Sequence, residues 1–256
     1  MDKVTDYKLL LDTAVLAGQI MIKNGSEIYR VEDTVQRILE LSNFKTSEAF
    51  VTNTGFIATL DDPEHDSLTV VKRIHERKTD LNKIYVVNEI SRELCCGKIT
   101  LNEAFNKLNN INSCQFSKKL KYFCLIIIVM AFVFIFNGKF NDAIGAGIVQ
   151  LVLTPVIIFT NRTRFNLFLQ TVTESFIIAL GAIAVSLTPM LKPDMSIIII
   201  SCIMPLVPGA ALTSAIRDTL LGDYLAGGAR ALEAVVNASA IVIGTGLGLL
   251  LGGAVL

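Results

Sequence analysis

Hydrophobic and polar positions alternate in two different ways along this chain. Up to about residue 117, apolar side chains recur at helix or strand spacing among many charges; from Leu120 onward they run almost unbroken. In the first region, Tyr7 to Lys23 places Leu10, Ala14, Ala17 and Met21 on one helical face, and Asn24-Gly25 supplies a stop. Ser26 is placed to cap a second helix. There Ile28, Val31, Val35 and Ile38 repeat at helical spacing while Glu32, Gln36 and Glu40 face away. The period then changes to two. Ser47 to Thr52 and Phe56 to Leu60, separated by Asn53, Thr54 and Gly55, predict two strands and a tight turn. A third strand is expected at Ser67 to Ile74, after the Asp61-Asp62-Pro63 turn. Asp80 to Cys96 returns to helix, with Ile84, Val87 and Ser91 on one face and Gly97 as its stop. Thr100 and Glu103 have capping-box spacing for a last helix, Leu101 to Leu108.

Five apolar runs follow, at roughly 120 to 136, 143 to 160, 167 to 188, 196 to 216 and 233 to 256, each long enough to cross hydrocarbon as a helix. The fourth is interrupted. Pro205, Pro208 and Gly209 fall near its centre; each proline lacks an N–H and clashes with the carbonyl four residues back. A break at that depth leaves backbone groups unpaired, which a membrane tolerates only where protein or a water-filled cavity receives them. Interrupted helices of this kind mark binding sites in transporters, although a proline kink used only for packing makes the same pattern.

Charge separates the same two regions. Residues 1–117 hold 14 Lys/Arg and 17 Asp/Glu, net −3, and residues 118–256 hold 9 and 6, net +3. The expected architecture is an α-helical membrane protein with five transmembrane helices, 118–256, preceded by a small α+β cytoplasmic domain, 1–117. Neither half carries the concentrated basic surface of a nucleic-acid binder. Met1 to Asp12 is charged and unlike a signal peptide, so the first domain is expected to stay where it is made. Lys118, Lys119 and Lys121, then Arg162 and Arg164, then Arg217 and Arg230 flank one side of the spans; the other side offers Lys139 and Lys192. The positive-inside rule then puts the N-terminus in the cytoplasm and the C-terminus outside.

Metal and thiol chemistry find no foothold. Cys95, Cys96, Cys114, Cys124 and Cys202 lack zinc spacing and read as free thiols, and His65 and His75 are isolated. No cofactor and no metal are expected. The fragment Gly244-Thr245-Gly246 mimics part of a dinucleotide fingerprint, but no strand precedes it. Gly244, Gly248 and Gly252 instead recur along one helical face, the spacing that lets two backbones approach.

Six acidic residues follow Lys118. Asp142 and Asp194 are expected in outward, solvated turns. Glu174 lies about two turns inside the third span, one turn beyond Gln170, where a carboxylate needs a partner or water; it is the candidate proton or cation carrier, or else it reaches the interface. Gln150 and Asn237 are expected to hydrogen-bond between helices. Asp218 and Asp223 share the link after the broken helix with Arg217 and Arg230, and Glu233 follows Arg230. They are either plain loop charges or groups beneath a solute path. The helix restarting after Gly209 offers free N–H groups, and Thr213 and Ser214 add hydroxyls, an outline suited to a small anion or amino acid.

Two passages, GSEIYRVEDTV at Gly25 to Val35 and PLVPGAALTSAIRDTLLGDYLAGGARALEA at Pro205 to Ala234, resemble the threonine/serine exporter (ThrE) family, specifically its YjjP-like half. The resemblance covers nearly the whole chain. It implies secondary transport driven by the proton gradient, exporting small amino acids such as threonine and serine across the cytoplasmic membrane; two-polypeptide members are associated with dicarboxylates such as succinate. It implies a pathway through Pro205, Pro208, Gly209, Arg217, Asp218, Asp223, Gly227 and Arg230, with Gly25, Glu27, Arg30 and Glu32 in a gating or interface element. An odd number of spans ending at GTGLGLLLGGAVL looks like half of an assembly, so a YjjB-like second membrane subunit is the expected partner, with protons, lipid and the solute. An enzyme is not expected, because residues 1–117 hold no recognisable nucleophile motif or metal spacing. A regulatory membrane scaffold that moves nothing is the remaining alternative.

Overall fold

The computed structural model describes residues 6–74, 78–112, 117–163, 165–189 and 192–255. His75, Cys114 and Arg164, which entered the reading above, lie outside them. The chain divides into two compact units. One is Met1–Gln115 with Ser214–Ala229, and the other is Phe116–Thr213 with Arg230–Leu256.

In the first unit, α1 (Tyr7–Lys23) and α2 (Ile28–Leu39) form the expected helical hairpin. Asp6 caps α1 by accepting from the Leu9 N–H at 2.9 Å, and Asn24 ends it. Gly25 takes φ 85°, where a Cβ would be strained, so the turn needs glycine. The cap of α2 differs from expectation. It is Glu27 and not Ser26, and no side chain accepts from the first turn, because the Glu27 carboxylate is engaged elsewhere. The apolar faces behave as their spacing requires: Leu10, Ala14, Ala17 and Met21 of α1 and Ile28, Val31, Val35 and Ile38 of α2 are buried together. Each large aliphatic side chain withdrawn from water contributes roughly 1.5–3 kcal/mol. A Cβ at Gly18 would stand 2.8 Å from Val35 Cγ2, so α1 and α2 pack closely there.

Strands β1 (Thr46–Thr52), β2 (Gly55–Asp62) and β3 (His65–Arg73) make an antiparallel sheet in the order β1-β2-β3. Thr52 pairs with Gly55 across a two-residue turn at Asn53 and Thr54. Val51, Phe56, Ala58 and Leu60 point into the core. The face of α2 expected to meet water is partly covered: Glu40 is exposed, but Glu32 and Gln36 are half-buried, the Val51 N–H donating to Glu32 and the Gln36 amide to the Ser47 carbonyl at 2.6 Å. Helix α3 (Leu81–Cys95) starts on Asp80 and ends before Gly97 at φ 69°. Helix α4 (Leu101–Asn109) carries the full Thr100–Glu103 capping box. His65 stacks on Phe44 at 5.0 Å and meets the edge of Tyr7, with Asp62 3.6 Å away. Among the described residues Cys95, Cys96, Cys124 and Cys202 are free thiols.

The second unit is helical. It contains α5 (Lys118–Ile135), α6 (Phe140–Arg162), α7 (Leu167–Ser186), α8 (Met195–Ile203) and parts of α9 (Gly209–Leu220) and α10 (Tyr224–Val255). Among the described residues three helices are long and apolar enough to cross a membrane: Phe140–Arg162, Leu167–Ser186 and Tyr224–Ala254. Met195–Leu206 and Gly209–Leu220, bent by 55°, count as a fourth if the pair is one span. Helix α5 opens with three lysines in its first four residues, leaving about 14 apolar ones, roughly 21 Å of helix. Helix α10 begins nine residues before the expected apolar run, at Tyr224. Exposed Phe123, Ile127, Phe159, Leu169, Val242 and Leu250 give these helices an apolar outer surface suited to lipid. This is a membrane protein with a small three-stranded sheet.

The glycine spacing in α10 is used within this unit. A Cβ at Gly244 would fall 2.3 Å from the Val172 carbonyl, at Gly248 2.6 Å from Ala179 Cβ, and at Gly252 2.3 Å from Ile183 Cδ1. Helices α7 and α10 therefore touch along three turns.

Candidate functional site

Glu27 is the N-cap of α2 and Arg30 and Glu32 lie on its first two turns; Arg217 and Asp218 lie in the last turn of α9 and Asp223 just before α10, all within the first unit. Gly25 sets where α2 begins. Its turn is stitched to the segment before α3 by the Lys78 N–H on the Lys23 carbonyl at 2.8 Å and the Asp80 N–H on the Asn24 carbonyl at 3.1 Å. Glu27 then meets Arg30 at 2.7 Å and also pairs with Arg217. The Arg30 guanidinium donates to the Tyr29 hydroxyl at 3.1 Å as well. Both arginine side chains stay about half exposed, at 52% and 53%, while Glu27 is at 17%.

A second cluster lies beside it. Glu32 accepts from the Val51 N–H at 3.1 Å. Burial raises its carboxyl above the ordinary range; the Val51 N–H opposes that rise and the charge on Asp223 adds to it. Asp223 accepts from the Ala226 N–H at 3.0 Å, fixing the first turn of α10, and the Asn53 amide donates to the Ala226 carbonyl at 2.9 Å in a buried contact. Asp218 is 2% exposed, and its carbonyl accepts from the Asp223 N–H at 2.9 Å. Gly227 is required where the corner closes: a Cβ there would stand 2.3 Å from Thr219 Oγ1 and 3.0 Å from the Ala215 carbonyl. The link charges are thus ordered parts of a folded corner and not loose loop charges. Asn53 was missed as a site residue, because nothing in a turn sequence names a partner 173 positions away.

The remaining candidates fall in the second unit. Glu174, on the second turn of α7, is 3% exposed; the Gln170 amide donates to it at 2.8 Å and the Thr160 side chain of α6 hydrogen-bonds to it. Asp142 departs from expectation. It is 3% exposed, and it accepts from the N–H groups of Lys139 and Asp194, each at 2.7 Å, tying the start of α6 to the start of α8. Asp194 is exposed and caps α8 through Ser196 at 2.8 Å. Pro205 sits in a single 3₁₀ turn, Met204–Leu206, and Pro208 precedes α9, whose first residue is Gly209. The Thr213 hydroxyl is directed back to its own helix, on the Gly209 carbonyl at 3.0 Å, and Ser214 is half-buried. Arg230 is buried and Glu233 exposed. Gln150 is buried within α6, and its amide nitrogen makes no hydrogen bond, in place of the helix–helix contact expected; Asn237 is half-buried. Among the described residues no group of three or more His, Cys, Asp or Glu side chains is placed to hold a metal ion.

Residues 12–252 match the profile of the family described as "Putative threonine/serine exporter". The chain is also 21% identical over 241 residues to a "Probable threonine/serine exporter" of Mycobacterium tuberculosis (strain ATCC 25618 / H37Rv). That alignment covers 92% of this chain but 45% of the relative, so the chain spans about half of the mycobacterial protein. No solved structure matches the chain. Given a profile match across both units, this protein belongs to the threonine/serine exporter family.

Proposed function

We propose that this chain is one subunit of a secondary transporter that exports threonine and serine across the cytoplasmic membrane, driven by the proton gradient. The observation carrying the proposal is the apolar run broken between Leu206 and Gly209 and bent by 55°. Inside a bilayer such a break is stable only against protein or water, and it gives a solute a place to exchange its hydration for protein dipoles. In this reading α5 is the first of five spans, the domain 1–117 lies in the cytoplasm and the C-terminus outside. Glu174 carries the proton, with Gln170 and Thr160 supporting its carboxylate when the proton leaves. The Glu27–Arg217 pair and the Glu32–Asp223 cluster fix the corner after the broken helix, so their making and breaking gates the cytoplasmic mouth. A YjjB-like subunit completes the transporter; the 45% coverage of the mycobacterial relative supports a missing complement of similar size.

Proteoliposomes holding this chain and its partner test the proposal. Threonine efflux should follow an imposed proton gradient, stop on its collapse, and fall at least about tenfold in Glu174→Gln, given what an unreplaced buried carboxylate contributes. Efflux indifferent to the gradient would remove proton coupling. Efflux unchanged in Asp218→Asn with Asp223→Asn would remove the acidic corner from the path.

A further inference from the structure

Helices α6 and α8 run side by side in the same direction. Asp142 takes the Asp194 N–H, a Cβ at Gly145 would stand 2.8 Å from Ile198 Cδ1, and the Cys202 thiol reaches the Ala146 carbonyl at 3.7 Å. Gln150, one turn beyond Ala146, therefore comes level with the end of α8, where the helix breaks. It also lies near the middle of α6. Two polar side chains are buried along this seam, Ser201 next to the Cys202–Ala146 contact and Gln150 one turn further on. Gln150 is 1% exposed and Ser201 0%, and neither Gln150 Nε2 nor Ser201 Oγ has a hydrogen-bond partner among the described residues. Buried polar groups are nearly always hydrogen-bonded, and two unsatisfied ones about a turn apart along adjoining helices are an unfavourable way to build a structural core. Pro155, further along α6, withholds a donor from the Leu151 carbonyl, adding an acceptor near the same depth.

We propose that Gln150 and Ser201 are the polar contacts of a solute site beside the helix break, and that the site takes a small hydroxyl-bearing amino acid and not a dicarboxylate. The choice of solute rests on the exporter reading above and narrows it. Gln150 supplies an N–H donor and Ser201 a hydroxyl that both donates and accepts, which suits a carboxylate or hydroxyl of a net-neutral solute. Between Gly145 and Asn161 of α6, between Leu167 and Ser186 of α7, and between Met195 and Leu206 of α8 there is no lysine or arginine. A dianion at this depth would lack the cations needed to offset its desolvation.

The full chain, with its five native cysteines replaced by alanine and a single cysteine at Gln150→Cys or Ser201→Cys, is tested in membrane vesicles holding the partner subunit. The probe is methanethiosulfonate ethylammonium. Both positions should be modified, and millimolar threonine should slow modification about tenfold while succinate does not, as a preference of about 1.4 kcal/mol requires. No modification at either position, no slowing by threonine, or slowing by succinate instead overturns the proposal. Gln150→Leu and Ser201→Ala provide a second measurement, since each removes an unsatisfied polar group. Their melting temperatures should equal or exceed that of the unaltered chain while the threonine-dependent thermal shift disappears. Lower melting temperatures with that shift intact overturn it. Threonine flux in the same vesicles separates the two readings: protection without flux sinks the exporter and supports the site, whereas flux without protection does the reverse.

Discussion

Glu27 and Glu174 each rest against polar neighbours, yet they occupy opposite regimes. Glu27, in the first unit, meets two guanidinium groups whose side chains are more than half exposed, so water and salt screen the attraction. Glu174, in the second, is almost wholly enclosed and is met by an amide and a hydroxyl. Charges of the first kind are cheap to make and break, as an adjustable corner requires. A carboxylate of the second kind is costly to keep and changes its surroundings greatly when it gains a proton. The first unit thus suits reversible docking, and the second suits storing a charge.

Four changes would sharpen or break that contrast. The largest effect is expected in the second unit, where added volume has nowhere to go: Gly244→Val should cost about 3 kcal/mol by forcing α10 off the Val172 carbonyl, read as a lowered melting temperature in detergent. Next is Asn53→Ala in the first unit, which deprives the Ala226 carbonyl of a buried donor and should cost about 1–3 kcal/mol, with faster proteolysis around 214–229. A double-mutant cycle of Glu27→Gln with Arg217→Gln should return a coupling of only about 0.2–1 kcal/mol, shrinking in high salt. A coupling several times larger and insensitive to salt would mean that this corner is as enclosed as the Glu174 site.

The smallest effect is a dependence on pH. The folded state holds the Glu32 proton more tightly than the unfolded chain does, because the carboxyl is raised from its ordinary 4.5. Its contribution to stability is therefore complete below about 4.5 and is lost as pH rises through the raised value. Hydrogen exchange across 214–229 should speed up over that window in the native chain and stay level in Glu32→Gln. Exchange that slows with rising pH would reverse the assignment.

Local rules made much of this legible. The apolar faces of α1 and α2, the tight turn of the hairpin, the Thr100–Glu103 box and the break at Pro205 to Gly209 each follow from residues a few positions apart. What sequence could not supply was the distant partner. Asp142 looked like a wet turn residue, but it accepts an N–H from 52 positions away and is enclosed by that contact. Glu32 and Gln36 looked like the outer face of an amphipathic helix until β1 covered them. Ser26 had the right chemistry for a cap, yet Glu27, held by Arg30 and Arg217, took the position. Glu174 and the broken helix stood out because polar and helix-breaking residues are conspicuous in an apolar run. Asn53 did not, because asparagine in a turn needs no further explanation.

The seam of Gly244, Gly248 and Gly252 against α7 has a mechanical corollary. Two rods packed this closely over three turns collide when they slide, so α7 and the Gly244–Gly252 stretch of α10 move together, carrying Glu174 with them. If the helices of this unit move against one another, the slip plane has to run along some other pair, and α8, which ends at the break, is the natural place to look for it.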